Sequence, residues 1–286
     1  MKRLVSITFF SLIGAGTLGA AALPAHASFS LGDAANYTLL FTGAGNNKLS
    51  ITNDTVTGNI GVGGSGVFAD SGPSTINGSV DFAAANTDQF NSTNGSNVLT
   101  GSVNYNIDSV TTALTTISSL SNHFADETGT SLAINLSGNT NQTVNATSGA
   151  LDTSGNYVFN VTQFNNTTGN TITINGSSDE SVVFNFTSNA NFDCTIALIG
   201  GIIPSHVLFN VTSTNTLQFS ANSDQEAGIF IDPNGTITCD NVNITGGLYG
   251  GDSHNFQFGS GANITGIPTP EPGSGAMIVL GLPALL

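Results

Sequence analysis

The chain has 286 residues, of which 39% are hydrophobic and only 7% are charged. Its 18 acidic residues outnumber 3 basic ones, so its surface repels phosphate backbones and anionic lipids, and the composition excludes nucleic-acid binding. The β-branched residues and 18 phenylalanines, interspersed with 35 glycines, are typical of strands and turns.

Residues 1–27 have the pattern of a secretory signal peptide. Two basic residues are followed by an apolar stretch and by the small-residue cleavage motif Ala-His-Ala at positions 25–27. A retained membrane anchor is the alternative, but the cleavage motif favours removal. We predict cleavage between Ala27 and Ser28, secretion, and a mature chain in which Lys48 is the only Lys or Arg.

A short phrase recurs along the chain: an apolar residue, Thr or Asn, Gly, a small residue and a second apolar residue. A spacing of roughly 20 residues is typical of stacked units that bury their apolar faces only against neighbours. The sequence therefore predicts a solenoid of β coils over residues 28–266. The phrase occurs at Val56–Ile60, Ile76–Val80, Leu99–Val103 and Ile244–Leu248, and in part at Ile264–Ile267.

The hydrophobic period changes in the middle of the chain. Apolar residues recur every three to four positions from Ile107 to Phe124, which predicts one amphipathic helix over about residues 107–125. Asp108 is expected to cap its N terminus, and Gly129 lies just past its expected end. Ser and Thr fill the other face, so we expect packing along the β stack to stabilise the helix.

Residues 130–266 return to alternating apolar and polar residues. This alternation places Ile, Val and Phe inside and Thr or Asn outside. The fold class predicted is mainly β: a parallel β-helix with one long α-helix packed alongside. The clearest strands are Tyr157–Val161, Thr171–Ile174, Val182–Phe186, Val207–Val211 and Thr236–Cys239.

Residues 267–286 combine a Pro-rich linker with a short apolar tail. The run Ala276–Leu286 is shorter than the roughly 20 residues that a membrane-spanning helix needs. Pro270, Glu271 and Pro272 before an apolar segment resemble the PEP-CTERM sorting signal of Gram-negative bacteria. That resemblance implies processing by an exosortase-type peptidase, with no stable membrane span afterwards. The family's basic tail is absent here, and a plain Pro-rich tail is the alternative.

The body of the chain resembles the choice-of-anchor A domain, an adhesive module of bacterial surfaces. The resemblance covers about residues 31–258 and is strongest at PSHVLFNV (204–211), GIFIDPNG (228–235) and NITGGLYGG (243–251). Ile231-Asp232 stands where that family has Leu-Ala. The domain is also similar to the bacterial ice-binding-like fold, which implies a right-handed β-helix with one long helix along its side.

Little catalytic chemistry is present in the sequence. Glycoside hydrolysis needs two carboxylates about 5–9.5 Å apart. Asp179 with Glu180, and Asp224 with Glu226, are candidate pairs, but surface-loop acids are the simpler interpretation. The histidines have no metal-ligand spacing. We predict a protein that is not an enzyme, with no catalytic residue, cofactor or metal site.

The two cysteines, Cys194 and Cys239, leave two alternatives open. Export to an oxidising compartment makes a disulfide between them a candidate. Equally, both side chains would be small buried residues on separate coils.

Three Thr-x-Thr sequences mark a candidate exposed surface. Rows of outward Thr on a flat sheet would order water, although Thr is also simply a favourable exposed strand residue. The residues are Thr55, Thr57, Thr171, Thr173, Thr236 and Thr238.

These features leave three functional hypotheses. The first is an exported adhesin or matrix protein whose Thr- and Asn-rich wall binds extracellular polysaccharide, including exopolysaccharide, or cell-surface components through weak multivalent contacts. The second is an ice-binding protein that uses a flat Thr-rich face. The third is a carbohydrate-active enzyme, which would require a cleft holding two acids at working distance.

Overall fold

The computed structural model describes residues 29–267, apart from residues 46, 139, 168, 213, 215, 221–224 and 252–254. The strands that precede the helix are β1 (Tyr37–Phe41), β2 (Lys48–Ile51), β3 (Thr55–Thr57), β4 (Asn59–Val62), β5 (Val67–Asp70), β6 (Thr75–Asn77), β7 (Val80–Phe82), β8 (Phe90–Ser92), β9 (Val98–Leu99) and β10 (Val103–Asn104).

One α-helix, α1, spans Asp108–Asp126 of the described chain. Short 3₁₀ turns occur at Gly32–Asn36, Thr87–Gln89, Ala146–Ser148 and Pro204–His206. The strands that follow α1 are β11 (Thr130–Asn135), β12 (Gln142–Asn145), β13 (Ala150–Leu151), β14 (Asn156–Asn165), β15 (Thr171–Asn175), β16 (Ser181–Phe186), β17 (Ala190–Phe192), β18 (Thr195–Ile199), β19 (Val207–Val211), β20 (Thr216–Phe219), β21 (Gln225–Asp232), β22 (Thr236–Cys239), β23 (Asn243–Gly250), β24 (Phe256–Phe258) and β25 (Asn263–Thr265).

The strands form three parallel faces around one apolar interior, which confirms the predicted β-helix. The first face has the order β10-β7-β4-β1-β23-β21-β19-β16-β14-β11, and the second has the order β17-β20-β22-β24-β2-β5-β8. The third face runs β21-β23-β25-β3-β6-β9 and has the sheet β12-β15-β18 beside it. The long strands β21 and β23 bend at a corner and contribute to both the third and the first face.

The coils do not stack in chain order. The chain starts in the middle of the rod, winds to one end through β10, and crosses to the other end along α1. It then winds back to the middle, where its last coil pairs with its first in all three faces. We call this contact, made by β23, β24 and β25 against β1, β2 and β3, the joint.

Register-matched side chains fill the interior in columns. In one column the rings of Phe159, Phe184, Phe209 and Phe230 stack with centroids 4.8–5.4 Å apart. This spacing equals the distance of about 4.8 Å between neighbouring strands, so each coil adds one ring. The column crosses the joint because Leu248 pairs with Phe230 on one side and with Leu39 on the other.

The helix α1 covers the outer side of the first face. Val110, Ala113, Ile117 and Phe124 are buried against outward residues of that face, which explains why its central strands are buried on both sides. Nineteen residues span about 28 Å, the width of roughly six strands. The predicted helix is confirmed, and none of the described helices is long and apolar enough to cross a membrane.

One detail of the predicted helix ends, the N-cap at Asp108, is wrong. The N-cap is Ile107, and Asp108 is the first helical residue, where its carboxylate faces the positive end of the helix dipole. Gly129 lies just past the end of the helix, as predicted, and its φ is not positive. A Cβ on Gly129 would lie 2.8 Å from Asn160, so this glycine permits the close approach of two coils.

Candidate functional site

Two of the three faces present their outward side chains to solvent. The first face is covered by α1, whereas most outward residues of the second and third faces are exposed or half-buried. Within the described residues, no group of three or more His, Cys, Asp or Glu could hold a metal ion. The surfaces of the two uncovered faces are therefore the candidate sites.

The third face carries a continuous array of Thr and Asn on four adjacent strands, β23, β25, β3 and β6. Every outward position on these strands is Thr or Asn, and each pairs in register with the next. We call this array the ladder. Its first row is Asn243, Asn263, Thr55 and Thr75, and its second row is Thr245, Thr265, Thr57 and Asn77.

The recurring phrase of the sequence builds the ladder. Its apolar residues Ile244, Ile264, Val56 and Ile76 point inward between the two rows and are buried, so the rows stand on a packed interior. Neighbouring strands lie about 4.8 Å apart, and alternate residues on a strand lie about 6.7 Å apart. The ladder is thus an uncharged array of hydroxyl and amide groups in register on four strands.

The six threonines predicted as an exposed surface do not form a single surface. Thr55 and Thr57 belong to the ladder, where Thr57 is exposed. Thr171 and Thr173 lie on β15, in the sheet beside the third face. The remaining pair, Thr236 and Thr238, lies on β22 in the second face. The sequence prediction therefore included only Thr55 and Thr57 of the eight ladder residues. The repeated sequence Asn-Ile-Thr at 243–245 and 263–265 is the pattern that indicates four of the others.

The acidic pairs weighed for glycoside hydrolysis lie in unlike environments. Asp179 and Glu180 sit in a turn, where the Glu180 carboxylate accepts a hydrogen bond from the Ser177 backbone N–H at 2.9 Å. Glu226 is 1% exposed, so its interpretation as a surface-loop acid is wrong. Glu226 is in register with Ile244 on the neighbouring strand, so the two residues belong to the same interior column. Its candidate partner, Asp224, lies outside the described residues.

Two other carboxyl groups are buried at the corners of coils. Asp54 accepts hydrogen bonds from the backbone N–H groups of Thr52 at 2.8 Å and Ala262 at 2.9 Å, so it bridges the joint. Burial raises its pKa to about 6, although these backbone donors oppose the shift. The pKa of Asp70, which repels Asp54, is also raised by burial.

Asp232 stands where the choice-of-anchor A motif has Ala. Its side chain is fully buried, and neither Oδ atom has a hydrogen-bond partner within the described part of the chain. Burial raises the pKa of Asp232 to about 8, while nearby backbone N–H groups oppose the shift without reaching hydrogen-bond geometry. At neutral pH this carboxyl group is mostly protonated.

No disulfide joins Cys194 to Cys239 in the described chain, and both side chains are buried. Cys239 is in register with Phe219, which is in register with Phe192. Cys194 follows Phe192 by two residues, so its coil lies two strand spacings, about 10 Å, from that of Cys239, before the offset along the strand is added. A disulfide requires Cα atoms within about 7 Å, so this fold favours the alternative of two buried thiols.

The predicted processing sites lie outside the described residues. These are the cleavage site at Ala27 and Ser28 and the sorting motif of Pro270, Glu271 and Pro272.

A family model of the ice-binding-like adhesive domain matches residues 10–262, which is most of the chain. The chain belongs to the ice-binding-like adhesive domain family. No curated protein matches this member of the family. The match agrees with the resemblance seen in the sequence, and it joins the two descriptions, adhesive and ice-binding-like, in one family.

Solved structures with the same fold accord with this family assignment. An ice-binding protein from the Antarctic ascomycete Antarctomyces psychrotrophicus matches with a TM-score of 0.55 and 16% identity, over 83% of this chain and 98% of that one. An antifreeze ice-binding protein from an Arctic yeast matches with a TM-score of 0.54 and 13% identity, over 87% and 98%.

A bacterial structure adds a third example. An ice-binding protein from an Antarctic Flavobacteriaceae bacterium matches with a TM-score of 0.54 and 18% identity, over 89% of this chain and 52% of that one. At these identities the similarity shows that this family member shares the fold of those proteins.

Proposed function

We propose that this ice-binding-like adhesive domain is a non-enzymatic, exported adhesive module that binds neutral, hydroxyl-rich polysaccharide through the ladder. One observation carries the proposal: the eight outward positions of four adjacent strands are all Thr or Asn and are in register. Each side chain can donate and accept hydrogen bonds, as sugar hydroxyl groups also do. A long polymer would contact many of these groups at once.

The charge distribution supports a neutral partner. The chain has 18 acidic residues, yet none lies on the ladder. An anionic polymer would be repelled by the rest of the surface, whereas an uncharged polymer is indifferent to it. The acidic surface therefore disfavours anionic polymers and leaves neutral polymers as the partner class.

The mixed composition of the ladder favours polysaccharide over ice. Asn is longer than Thr, and it interrupts both rows at Asn243, Asn263 and Asn77. The ladder therefore does not present one identical group at every position, as an array matched to a crystal lattice would. A flexible polymer adapts to side chains of different length, because each sugar makes its own hydrogen bonds.

One specific observation supports ice as a second candidate ligand of the ladder. Thr245, Thr265 and Thr57 are consecutive in the exposed row, so three coils present identical hydroxyl and methyl groups in register. The solved structures that share the fold are named as ice-binding proteins. This candidate predicts thermal hysteresis and shaping of growing ice crystals by the purified protein.

A pair of matched double variants tests the ladder. Thr57→Glu with Thr265→Glu places two charges on neighbouring strands β3 and β25 of the ladder. The control, Thr238→Glu with Gln257→Glu, places two charges on neighbouring strands β22 and β24 of the second face. Retention on an insoluble linear β-mannan and thermal hysteresis are then measured for the wild type and both variants.

We expect the wild type and the control to be retained on the β-mannan, and the ladder variant to bind at least tenfold more weakly. Equal retention of both variants, or no retention of the wild type on β-mannan or on another neutral polysaccharide, would overturn the proposal. Hysteresis that disappears only in the ladder variant, without polysaccharide binding, would support ice instead.

Export is the second part of the proposal. Its support is the signal-peptide pattern of residues 1–27 and the Pro-Glu-Pro motif at 270–272. N-terminal sequencing and intact-mass analysis of the protein released by a Gram-negative host test both. We expect a mature chain that begins at Ser28, and a chain that still begins at Met1 would contradict the signal peptide.

A further inference from the structure

We infer that a groove beside the ladder is a subsite for one neutral sugar ring, so that the domain selects polysaccharides with single-sugar branches. The inference rests on the proposed function and names the ligand class more closely. The groove lies at the joint, on the corner between the third and first faces. It encloses about 350 Å³, at the small end of the range of about 300–1,000 Å³ for small-molecule pockets.

The groove adjoins the ladder without a break. Thr57 and Asn77 belong to the exposed row of the ladder and also line the groove. Asn36, on the turn before β1, also lines the groove. A polymer lying along the ladder would therefore carry a short branch directly into the groove.

Hydrogen-bonding capacity in the groove is divided between two sets of residues. Asn59 donates to the Asn36 carbonyl at 3.1 Å and accepts from the Ser79 N–H at 3.0 Å, and the Thr38 hydroxyl donates to the Thr57 carbonyl at 3.0 Å. These bonds fix the backbone of the walls.

The second set consists of groove residues whose side chains are available for hydrogen bonds to a ligand. Among the described residues, the side chains of Asn36, Thr57 and Asn77 make no hydrogen bond to other protein groups, and Asn36, Thr57 and Asn77 are exposed. Two amides and one hydroxyl on a fixed frame match the alternating donors and acceptors of a sugar ring. Within the part of the chain that the structure describes, no charged side chain lines the groove, which favours a neutral sugar.

Two glycines that line the groove allow Thr38 to pack closely against both of them. A Cβ on Gly58 or on Gly266 would collide with the hydroxyl of Thr38, and Gly58 has a φ of 122°, which side-chain-bearing residues rarely adopt. One of these glycines comes from the first coil and the other from the last. The groove therefore exists only because the joint brings the two coils together.

A matched pair of polymers tests the subsite. Galactomannan and linear β-mannan share one backbone, and only galactomannan carries single-hexose branches. With the full-length chain, we expect galactomannan to bind about five- to tenfold more tightly, the gain of one or two net hydrogen bonds. Asn36→Trp, which fills the groove, should abolish this preference, so that the two polymers bind with the same affinity.

Controls separate this inference from the function on which it rests. Asn122→Trp, at an exposed position on α1, should keep the preference, and Ala35→Trp fills the groove from a second position if Asn36→Trp fails to fold. Equal binding of the two polymers by the wild type, or a preference that survives both groove variants, would overturn the subsite while adhesion through the ladder stands. Failure of both polymers to bind would instead count against the proposed function.

Discussion

Asn185 donates its side-chain amide to the backbone carbonyl of Phe124 at 2.6 Å, and so fastens the end of α1 to the β stack. Asn210, one coil further along, donates to the Ser121 carbonyl at 3.0 Å and to the Asn185 side chain at 2.9 Å. The Ser121 hydroxyl in turn donates to Asn210 at 2.6 Å. These buried amides give the Phe124 and Ser121 carbonyls a second hydrogen bond and tie the last turns of α1 to the strands β16 and β19.

Replacing Asn210 by Ala should therefore destabilise the fold. The change removes the partner of the Ser121 hydroxyl and of the Asn185 side-chain oxygen, and we expect a loss of about 2–4 kcal/mol in the free energy of unfolding. Urea denaturation followed by circular dichroism measures it. Asn122→Ala, on the exposed side of α1, is the control and should change stability by less than about 0.5 kcal/mol. Equal effects would show that the amide network contributes nothing.

The free energy of unfolding should fall as pH rises from about 4 to about 8. The pKa of Asp232 is about 8 in the folded chain against an ordinary value of 3.8, so between these values the native state holds a proton that the unfolded state has lost. Asp54, with a pKa of about 6, acts in the same direction up to that pH.

Asp232→Asn should remove the part of this fall that lies between about pH 6 and pH 8. Denaturation midpoints measured at unit intervals from pH 4 to 9 give the comparison, with Asp88→Asn at an exposed position as the control. A variant whose stability falls as steeply as that of the wild type above pH 6 would contradict the protonated state of Asp232.

Gly246→Ala should prevent or severely impair folding. A Cβ at this position would overlap the carbonyl oxygen of Gly228 in the neighbouring coil, and a backbone atom cannot move aside as a flexible side chain can. Gly95 lies in open space, and Gly95→Ala should be tolerated. Soluble yield and thermal midpoint distinguish the two substitutions, and a stable Gly246→Ala protein would show that coils can separate at this corner.

Both cysteines should be present as thiols that do not react in the folded protein. We expect no reaction of Cys194 or Cys239 with a thiol reagent under native conditions, and two thiols per chain after denaturation without reductant. The protein should be taken from an oxidising compartment for this titration. Fewer than two thiols would mean that the coils shift enough to bring the sulfur atoms together.

The helix and strands of this fold were predictable because each is specified by the residue pattern of a short stretch of sequence. The period of three to four residues specified α1, and alternating Thr or Asn with Ile or Val specified strands with one buried side. The phrase at Ile244 and Ile264 also predicted stacked coils. Asp232 and Glu226 could not be recognised as buried, since acidic residues are rarely placed inside a protein.

The sequence by itself determined that the chain forms coils with an apolar interior, a polar uncharged wall and one helix. Only the tertiary structure decided which coils are neighbours, because parallel strands at similar spacing can pair in many orders with nearly equal local energy. Here α1 returns the chain across the rod, so the strand of Ile264 pairs with the strand of Val56, more than 200 positions away in sequence. That pairing creates the ladder and the groove, and no local pattern specifies it.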